Sequence, residues 1–79
     1  MNRKKSKIKY IQRKPVISSS ISSIGYDSPS QTLELQFVEG AVYQYFDFPK
    51  LLYQKFLTAD SKGRFLTDHV KGKYEFLKI

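Results

Sequence analysis

The chain has 79 residues, a formal net charge of +7, no cysteine, 41% hydrophobic residues and 15% aromatic residues. This length allows one small domain, and the lack of cysteine excludes disulfides and thiolate-bound zinc. The aromatic content excludes a fully disordered chain. No apolar run approaches the roughly 20 residues of a membrane span, and no apolar stretch of a secretory signal follows the basic start. We therefore expect a soluble, cytoplasmic module.

The excess positive charge is concentrated at the N-terminus. The seven other basic residues of the chain are balanced by its seven acidic ones. Self-repulsion and the lack of apolar periodicity predict a disordered basic arm over residues 1–15, ahead of a folded domain over residues 16–79. The arm can neutralise phosphates without reading sequence, or it can simply keep the chain soluble. Its basic residues are Arg3, Lys4, Lys5, Lys7, Lys9, Arg13 and Lys14.

Alternating residues predict three strands in the first half of the domain. Residues 16–26 mix isoleucine with serine, which disfavours a helix, and indicate an extended segment or an edge strand. In residues 32–38, Leu33 and Leu35 face one way while Glu34 faces the other, as in a half-buried strand. After the turn signal Glu39-Gly40, residues 41–46 form the returning strand.

The pattern then changes to a helical period. Residues 49–58 predict a short helix, with Asp47 as a candidate N-terminal cap. A second short helix is predicted over about residues 61–70, capped by Asp60 or Ser61. Residues 73–79 alternate again and predict a last short strand. Strands followed by helices indicate an α+β fold: a small antiparallel sheet, made of a three-strand meander plus a C-terminal strand, covered by two short helices.

The orientation of Tyr43 and Tyr45 depends on the loop at Glu39-Gly40. A two-residue loop would expose both tyrosines on the outer face, where they could stack on bases. A three-residue loop that ends with Gly40 in the left-handed region pairs Leu35 with Tyr43 and turns both tyrosines towards the core. We favour the three-residue loop, because the shorter turn requires a positive φ at a glutamate. It also leaves Gln44 in solvent and the tyrosine hydroxyls at the edge of a cleft.

A candidate phosphate site lies at the start of the second helix, in the segment Ser61-Lys62-Gly63-Arg64. Backbone N–H groups and the helix dipole favour an anion there, although a plain capped helix with solvated bases has the same sequence. Further basic residues follow the helix. The candidate nucleic-acid or phosphate contacts are Lys62, Arg64, Lys71, Lys73, Tyr43 and Tyr45.

No catalytic, metal or cofactor site is expected. The single histidine, His69, follows Asp68 on a predicted helix, and sequence neighbours do not face each other there. One histidine without cysteine does not form a recognisable zinc site, and no phosphate-loop motif occurs. We therefore expect a protein that is not an enzyme.

Over about residues 16–74 the chain resembles the KTSC domain, a family named after the C-terminal extension of some lysyl-tRNA synthetases. The resemblance implies a stand-alone bacterial or phage form and, through that attachment, RNA binding. Family members often carry Phe-Asn where this chain has Leu66-Thr67, and Ile where it has Val70. The matching pieces are Ser19-Ser20, Ile24-Gly25-Tyr26-Asp27, Leu33-Glu34-Leu35, Phe37, Gly40, Val42-Tyr43-Gln44-Tyr45, Pro49, Tyr53, Ser61-Lys62-Gly63-Arg64-Phe65 and Tyr74.

Three functions stay open at this point. The first is a non-enzymatic module that binds RNA or another phosphate-bearing ligand. The second is a phage-type protein that sequesters a small nucleotide, and the third is a protein-interaction module that uses the edge of the serine-rich first strand. The oligomeric state is also open, and a homodimer is one outcome.

Overall fold

Five antiparallel strands and two helices form the fold, in a computed structural model that describes residues 10–79. The strands lie in the sheet in chain order. The predicted α+β class is confirmed, with one strand more than the sequence indicated. The arm residues Arg3, Lys4, Lys5, Lys7 and Lys9 lie outside the described residues. The elements are β1 (Lys14–Pro15), β2 (Ile21–Asp27), β3 (Thr32–Phe37), β4 (Val42–Tyr45), α1 (Lys50–Thr58), α2 (Lys62–His69) and β5 (Phe76–Lys78).

The hairpin between β3 and β4 has the three-residue loop that the sequence favours. Gly40 has a φ of 112°, a conformation that L side chains rarely adopt. The Phe37 N–H donates to the Ala41 carbonyl at 2.9 Å. Leu35 therefore pairs with Tyr43, as the three-residue loop predicts.

The core lies between the two helices and one face of the sheet, which we call the inner face. Tyr45 is 4% exposed within it, so the prediction that this tyrosine points inward is confirmed. Tyr43 is half-buried against the same core. The buried core residues are Ile21, Ile24, Leu33, Leu35, Tyr45, Phe48, Phe56, Leu66 and Val70.

The opposite, outer face of the sheet is covered by residues 10–15, which we call the N-terminal strap. Glu34 and Gln44 lie on this face and are only 4% and 1% exposed. The prediction that Gln44 lies in solvent is therefore wrong. Ile11 of the strap is buried and Arg13 donates to the Glu34 carboxylate. Polar residues that alternation assigns to solvent are thus enclosed by a segment that looks, from its charge, like a free arm.

The strap also changes the position of the serine-rich strand β2. Lys14 pairs with Ile24 and Pro15 with Ser23. The predicted arm and domain divide at residue 15, whereas in the structure the end of the predicted arm is a strand of the sheet. β2 is consequently flanked on both sides, so the interpretation of it as an edge strand is corrected.

Capping differs between the two helices. Ser61, one of the two predicted caps of α2, is its N-cap residue. Its side chain accepts a hydrogen bond from the Arg64 N–H at 3.2 Å. At α1 the N-cap position is Pro49, with no side-chain cap, so the predicted capping role of Asp47 is wrong. Asp47 has a positive φ of 55° and lies in the turn before the helix. Across residues 10–79, neither helix has the length and hydropathy needed to cross a membrane.

Candidate functional site

A cleft of about 930 Å³ opens between α2 and the β4–β5 end of the inner face. Its sheet side is formed by four rings, and its helix side by residues along the length of α2 and by Lys71 and Gly72 after the helix. We call it the aromatic cleft. The four rings are Phe37, Tyr43, Tyr45 and Phe76, and the polar residues opposite them include Ser61, Arg64 and Lys71.

The four rings contact one another as a continuous aromatic surface. Phe37 meets Tyr43 edge-on, with ring centroids 5.6 Å apart. Phe76 lies 5.5 Å from Tyr43 and 5.8 Å from Tyr45. The rings differ in access, because Tyr45 is 4% exposed whereas Phe76 is 56% exposed. Phe76 is therefore the ring that a ligand in the cleft can reach most easily.

The hydroxyl of Tyr45 stays protonated in this setting. Burial raises the pKa of Tyr45, and the neighbouring Tyr43 raises it further. A neutral phenol can donate one hydrogen bond to an acceptor such as a phosphate or carbonyl oxygen. Tyr45 therefore adds a neutral phenol, rather than an anion, to the lining of the cleft.

The cationic side of the cleft is formed by Arg64 and Lys71. Both side chains are exposed, and within residues 10–79 neither forms an ion pair. Unpaired guanidinium and ammonium groups are well suited to bind phosphate oxygens. Two other candidate residues do not line the cleft: the Lys62 ammonium lies 3.5 Å from the Ala59 carbonyl, and Lys73 is an exposed turn residue.

Of the six residues that the sequence assigned to phosphate or base contacts, the structure thus brings four into the aromatic cleft. They come from two separate elements, because Tyr43 and Tyr45 belong to β4 while Arg64 and Lys71 belong to α2 and the turn after it. The sheet register and the helix position create this grouping, and neither is visible in a linear pattern.

Sequence reasoning missed several polar or aromatic residues of the cleft, and one aromatic and two acidic residues among them bear on its chemistry. Phe76 was placed on a last strand, but its pairing with Tyr45 puts it on the inner face next to the cleft. Glu39 and Asp68 also line the cleft. With these two acids and the two bases Arg64 and Lys71, the formal charge of the lining residues is balanced. Such a cleft fits a ligand that carries both an anionic group and hydrogen-bond donors better than a bare polyanion.

Gly63 allows α2 to approach the chain segment before β2. A Cβ built on Gly63 would lie 2.6 Å from the Ser20 hydroxyl oxygen. Both residues line the cleft, so two motif pieces that are far apart in the sequence meet there. The group that a Cβ would meet is a hydroxyl that can rotate, so the close approach favours a small residue at position 63 without requiring glycine.

His69 lies outside the lining of the cleft and has a packing contact. Its ring centroid is 4.6 Å from that of Phe65 on the same helix. Within the described part of the chain, no group of three or more His, Asp or Glu side chains is placed to hold a metal ion.

Comparison with known proteins identifies close relatives. A family model described as the KTSC domain matches residues 17–74. A protein of Tsukamurella paurometabola is 41% identical over 65 residues, which are 82% of this chain and 97% of that protein. The crystal structure of a KTSC domain protein from Yersinia pestis matches with a TM-score of 0.83 and 48% identity, covering 89% of this chain and 99% of the other.

A larger enzyme contains a similar segment. A lysine–tRNA ligase of Trichormus variabilis is 36% identical over 61 residues, which are 77% of this chain but only 11% of the ligase. The family model includes most of the cleft but ends before Phe76, and it begins after the N-terminal strap. One ring of the cleft and the cover of the outer face are therefore supplied by segments that flank the matched region.

Proposed function

The chain belongs to the KTSC domain family, and we propose that it is a non-enzymatic module that binds RNA in the aromatic cleft. The observation that carries the proposal is that unpaired cations and accessible rings line one cleft: Arg64 and Lys71 face Tyr43 and Phe76. Arginine and lysine bind phosphate oxygens, and aromatic rings stack on bases.

The two cations have different roles in this proposal. Arg64 lies in the first turn of α2, where its guanidinium fork and the helix dipole act on the same phosphate. Lys71 follows the helix and acts as a point charge on a neighbouring phosphate. Glu39 and Asp68 offset the charge of the two bases and so limit the non-specific attraction of polyanions to the cleft. In this proposal the cleft contributes selectivity for the RNA, and the basic arm adds affinity.

The relatives support RNA over other phosphate-bearing ligands. A segment of a lysine–tRNA ligase is similar to most of this chain, and such a ligase has an RNA as its substrate. The basic arm also supports RNA as the ligand, because clustered basic residues bind phosphates with an affinity that depends on salt. Arg13 does not take part in that role, since its guanidinium is bound to Glu34.

The test is RNA affinity at about 50 and about 200 mM salt. We would compare the natural chain with a full-length, arm-neutralised variant in which Arg3, Lys4, Lys5, Lys7 and Lys9 are glutamine. The probe is a fluorescein-labelled single-stranded oligoribonucleotide. The arm-neutralised variant should bind more weakly, with a flatter salt dependence, yet still bind.

The contribution of the cleft is measured in that arm-neutralised background. Arg64→Ala with Lys71→Ala should reduce affinity by about tenfold or more, since each removes a charged contact. Lys55→Ala is the matched control, because Lys55 is exposed on α1 and does not line the cleft. Complete loss of binding on neutralising the arm, or equal loss from Lys55→Ala, would exclude the cleft as an RNA site.

A free nucleotide is the second candidate ligand, favoured by the size of the cleft. At about 930 Å³ it falls within the range of small-molecule sites. One-to-one calorimetric binding of a mononucleotide, together with no RNA binding by the arm-neutralised variant, would select this function instead.

A further inference from the structure

Phe76 is an exposed phenylalanine whose ring is also held by contacts with neighbouring rings. The residue is 56% exposed although its ring contacts both Tyr43 and Tyr45. The tyrosines therefore cover part of the ring and leave the rest open to the cleft. An open apolar ring at the wall of a cleft is the type of surface on which an unpaired base stacks.

The backbone on both sides of Phe76 is held by β4. The Phe46 N–H donates to the Glu75 carbonyl at 3.0 Å, and the Ile79 N–H donates to the Val42 carbonyl at 2.8 Å. Phe76 itself pairs with Tyr45 across the strands. These bonds hold the backbone on both sides of Phe76, and the contacts with Tyr43 and Tyr45 restrict its ring. A restricted ring loses less conformational freedom when a ligand binds, so more of its stacking energy contributes to affinity.

The charges of the cleft favour an unpaired nucleotide over a duplex. A duplex presents two phosphate backbones and uses the Watson–Crick edges of its bases for pairing, so Glu39 and Asp68 would meet mainly phosphates and few free base amino groups. An unpaired nucleotide places a phosphate near Arg64 and offers the amino groups of its base to the two carboxylates. The basic residues of the cleft then bind the phosphate, and its carboxylates bind the amino groups of the base.

We infer that the cleft takes one unpaired nucleotide of a single-stranded RNA, with its base stacked on Phe76. The inference rests on the proposed function and names the class of RNA that the site accepts. Phe76 is the stacking residue, and Tyr43 and Tyr45 hold its ring in place from behind. Because the family model ends before β5, this contact belongs to the C-terminal strand of this chain.

The experiment measures the affinity of the full-length arm-neutralised variant for one short oligoribonucleotide, alone and annealed to its complement. The single strand should bind about tenfold more tightly or better, because stacking on one aromatic residue has an effect of this size. Phe76→Leu keeps an apolar side chain for folding but removes the ring, and should weaken single-strand binding by about tenfold. Phe76→Trp should retain it.

Ile79→Ala is the matched control, since Ile79 is 50% exposed next to β5 but does not line the cleft. It should leave affinity unchanged. A 2-aminopurine base in the probe gives a second readout, because its fluorescence is quenched by stacking; the quenching should be lost in Phe76→Leu.

Two results would overturn the inference but not the proposed function. The first is equal affinity of the arm-neutralised variant for the duplex and the single strand. The second is that Phe76→Leu binds the single strand as tightly as the arm-neutralised variant does. In either case the loss caused by Arg64→Ala with Lys71→Ala would still mark the cleft as the RNA site. If the parent binds neither RNA, both the inference and the proposed function fail.

Discussion

The Arg13 guanidinium donates a hydrogen bond to the carboxylate of Glu34, and this ion pair joins the N-terminal strap to the centre of the sheet. The Glu34 side chain is 5% exposed and that of Arg13 28%. Gln44 donates to the other carboxylate oxygen at 2.8 Å, and the Arg13 Nε donates to the Ser23 hydroxyl at 2.9 Å. A carboxylate buried to this degree needs a cation or several donors, because burial removes it from water.

Replacing Arg13 with alanine should lower the free energy of unfolding by about 3 kcal/mol, because it leaves the Glu34 carboxylate buried without its cation. Lys14→Ala is the control, since Lys14 is an exposed base in the same strap and should change stability by less than about 0.5 kcal/mol. Urea denaturation measures both. The double variant Arg13→Ala with Glu34→Gln should recover part of the loss, because no lone charge remains buried. Equal effects of Arg13→Ala and Lys14→Ala would contradict a structural role for the pair.

The hairpin and the inner face could be predicted from sequence because local rules decide them. A glutamate resists a positive φ whereas Gly40 accepts it, and this preference selects the three-residue loop. The loop then sets the pairing of Leu35 with Tyr43 and turns Tyr45 inward. One residue of backbone preference thus fixes the orientation of a whole strand.

The outer face could not be predicted, because its cover is a tertiary feature. Glu34 and Gln44 alternate with apolar residues and therefore look solvent-exposed, and Arg13 belongs to a basic run that looks like a free arm. Each pattern is correct as a local statement. Only the folded chain brings these opposite charges together, and it does so across 21 residues of sequence. Phe76 was missed as a cleft residue for a similar reason, since its partner strand lies beyond both helices.

Gly25→Ala should destabilise the protein by displacing the N-terminal strap. A Cβ on Gly25 would lie 2.4 Å from the Gln12 carbonyl oxygen and 2.8 Å from Ile11 Cγ2, and a backbone group cannot rotate away. We expect a loss of about 2 kcal/mol or more, as for other overpacked sites. Amide hydrogen exchange should show the strap residues losing protection first.

Gly63→Ala is the informative comparison for Gly25→Ala. Its new Cβ would meet only the Ser20 side chain, whose close atom is a hydroxyl oxygen that can rotate away. Alanine is also favoured over glycine in a helix by about 1 kcal/mol. This variant should therefore be near neutral in urea denaturation. If Gly25→Ala proves equally mild, the strap does not lie against β2 in solution.

Gly40→Ala tests the loop that orients the tyrosines. No atom lies within 4 Å of a Cβ at this position, so any cost comes from the backbone φ of 112° alone. We expect a loss of about 1 kcal/mol in the free energy of unfolding. The adjacent exposed variant Glu39→Ala should stay within about 0.5 kcal/mol. A neutral Gly40→Ala would mean that the loop does not require a positive φ.

The stability of the domain should fall at alkaline pH because Tyr45 is buried and Tyr26 and Tyr53 are half-buried. Burial raises the pKa of Tyr53 and Tyr45, and burial followed by the nearby Asp27 raises that of Tyr26. In the unfolded chain these phenols ionise near pH 10, whereas in the folded chain they keep their protons to higher pH. Their contribution is therefore fully present below about pH 10 and is lost as the pH rises through the raised folded values.

Tyr53→Phe is the variant that isolates this effect. Tyr26 would be a poorer choice, because its hydroxyl donates to the Phe48 carbonyl and its removal also deletes a hydrogen bond. Urea unfolding from about pH 8 to about pH 11 should show a smaller loss of stability for Tyr53→Phe than for the natural chain, since the unfolded variant has one phenol fewer to ionise. Tyr10→Phe, at a ring that is 89% exposed, should reproduce the natural pH dependence. If Tyr53→Phe and Tyr10→Phe give the same curve, burial of Tyr53 does not contribute to the alkaline transition.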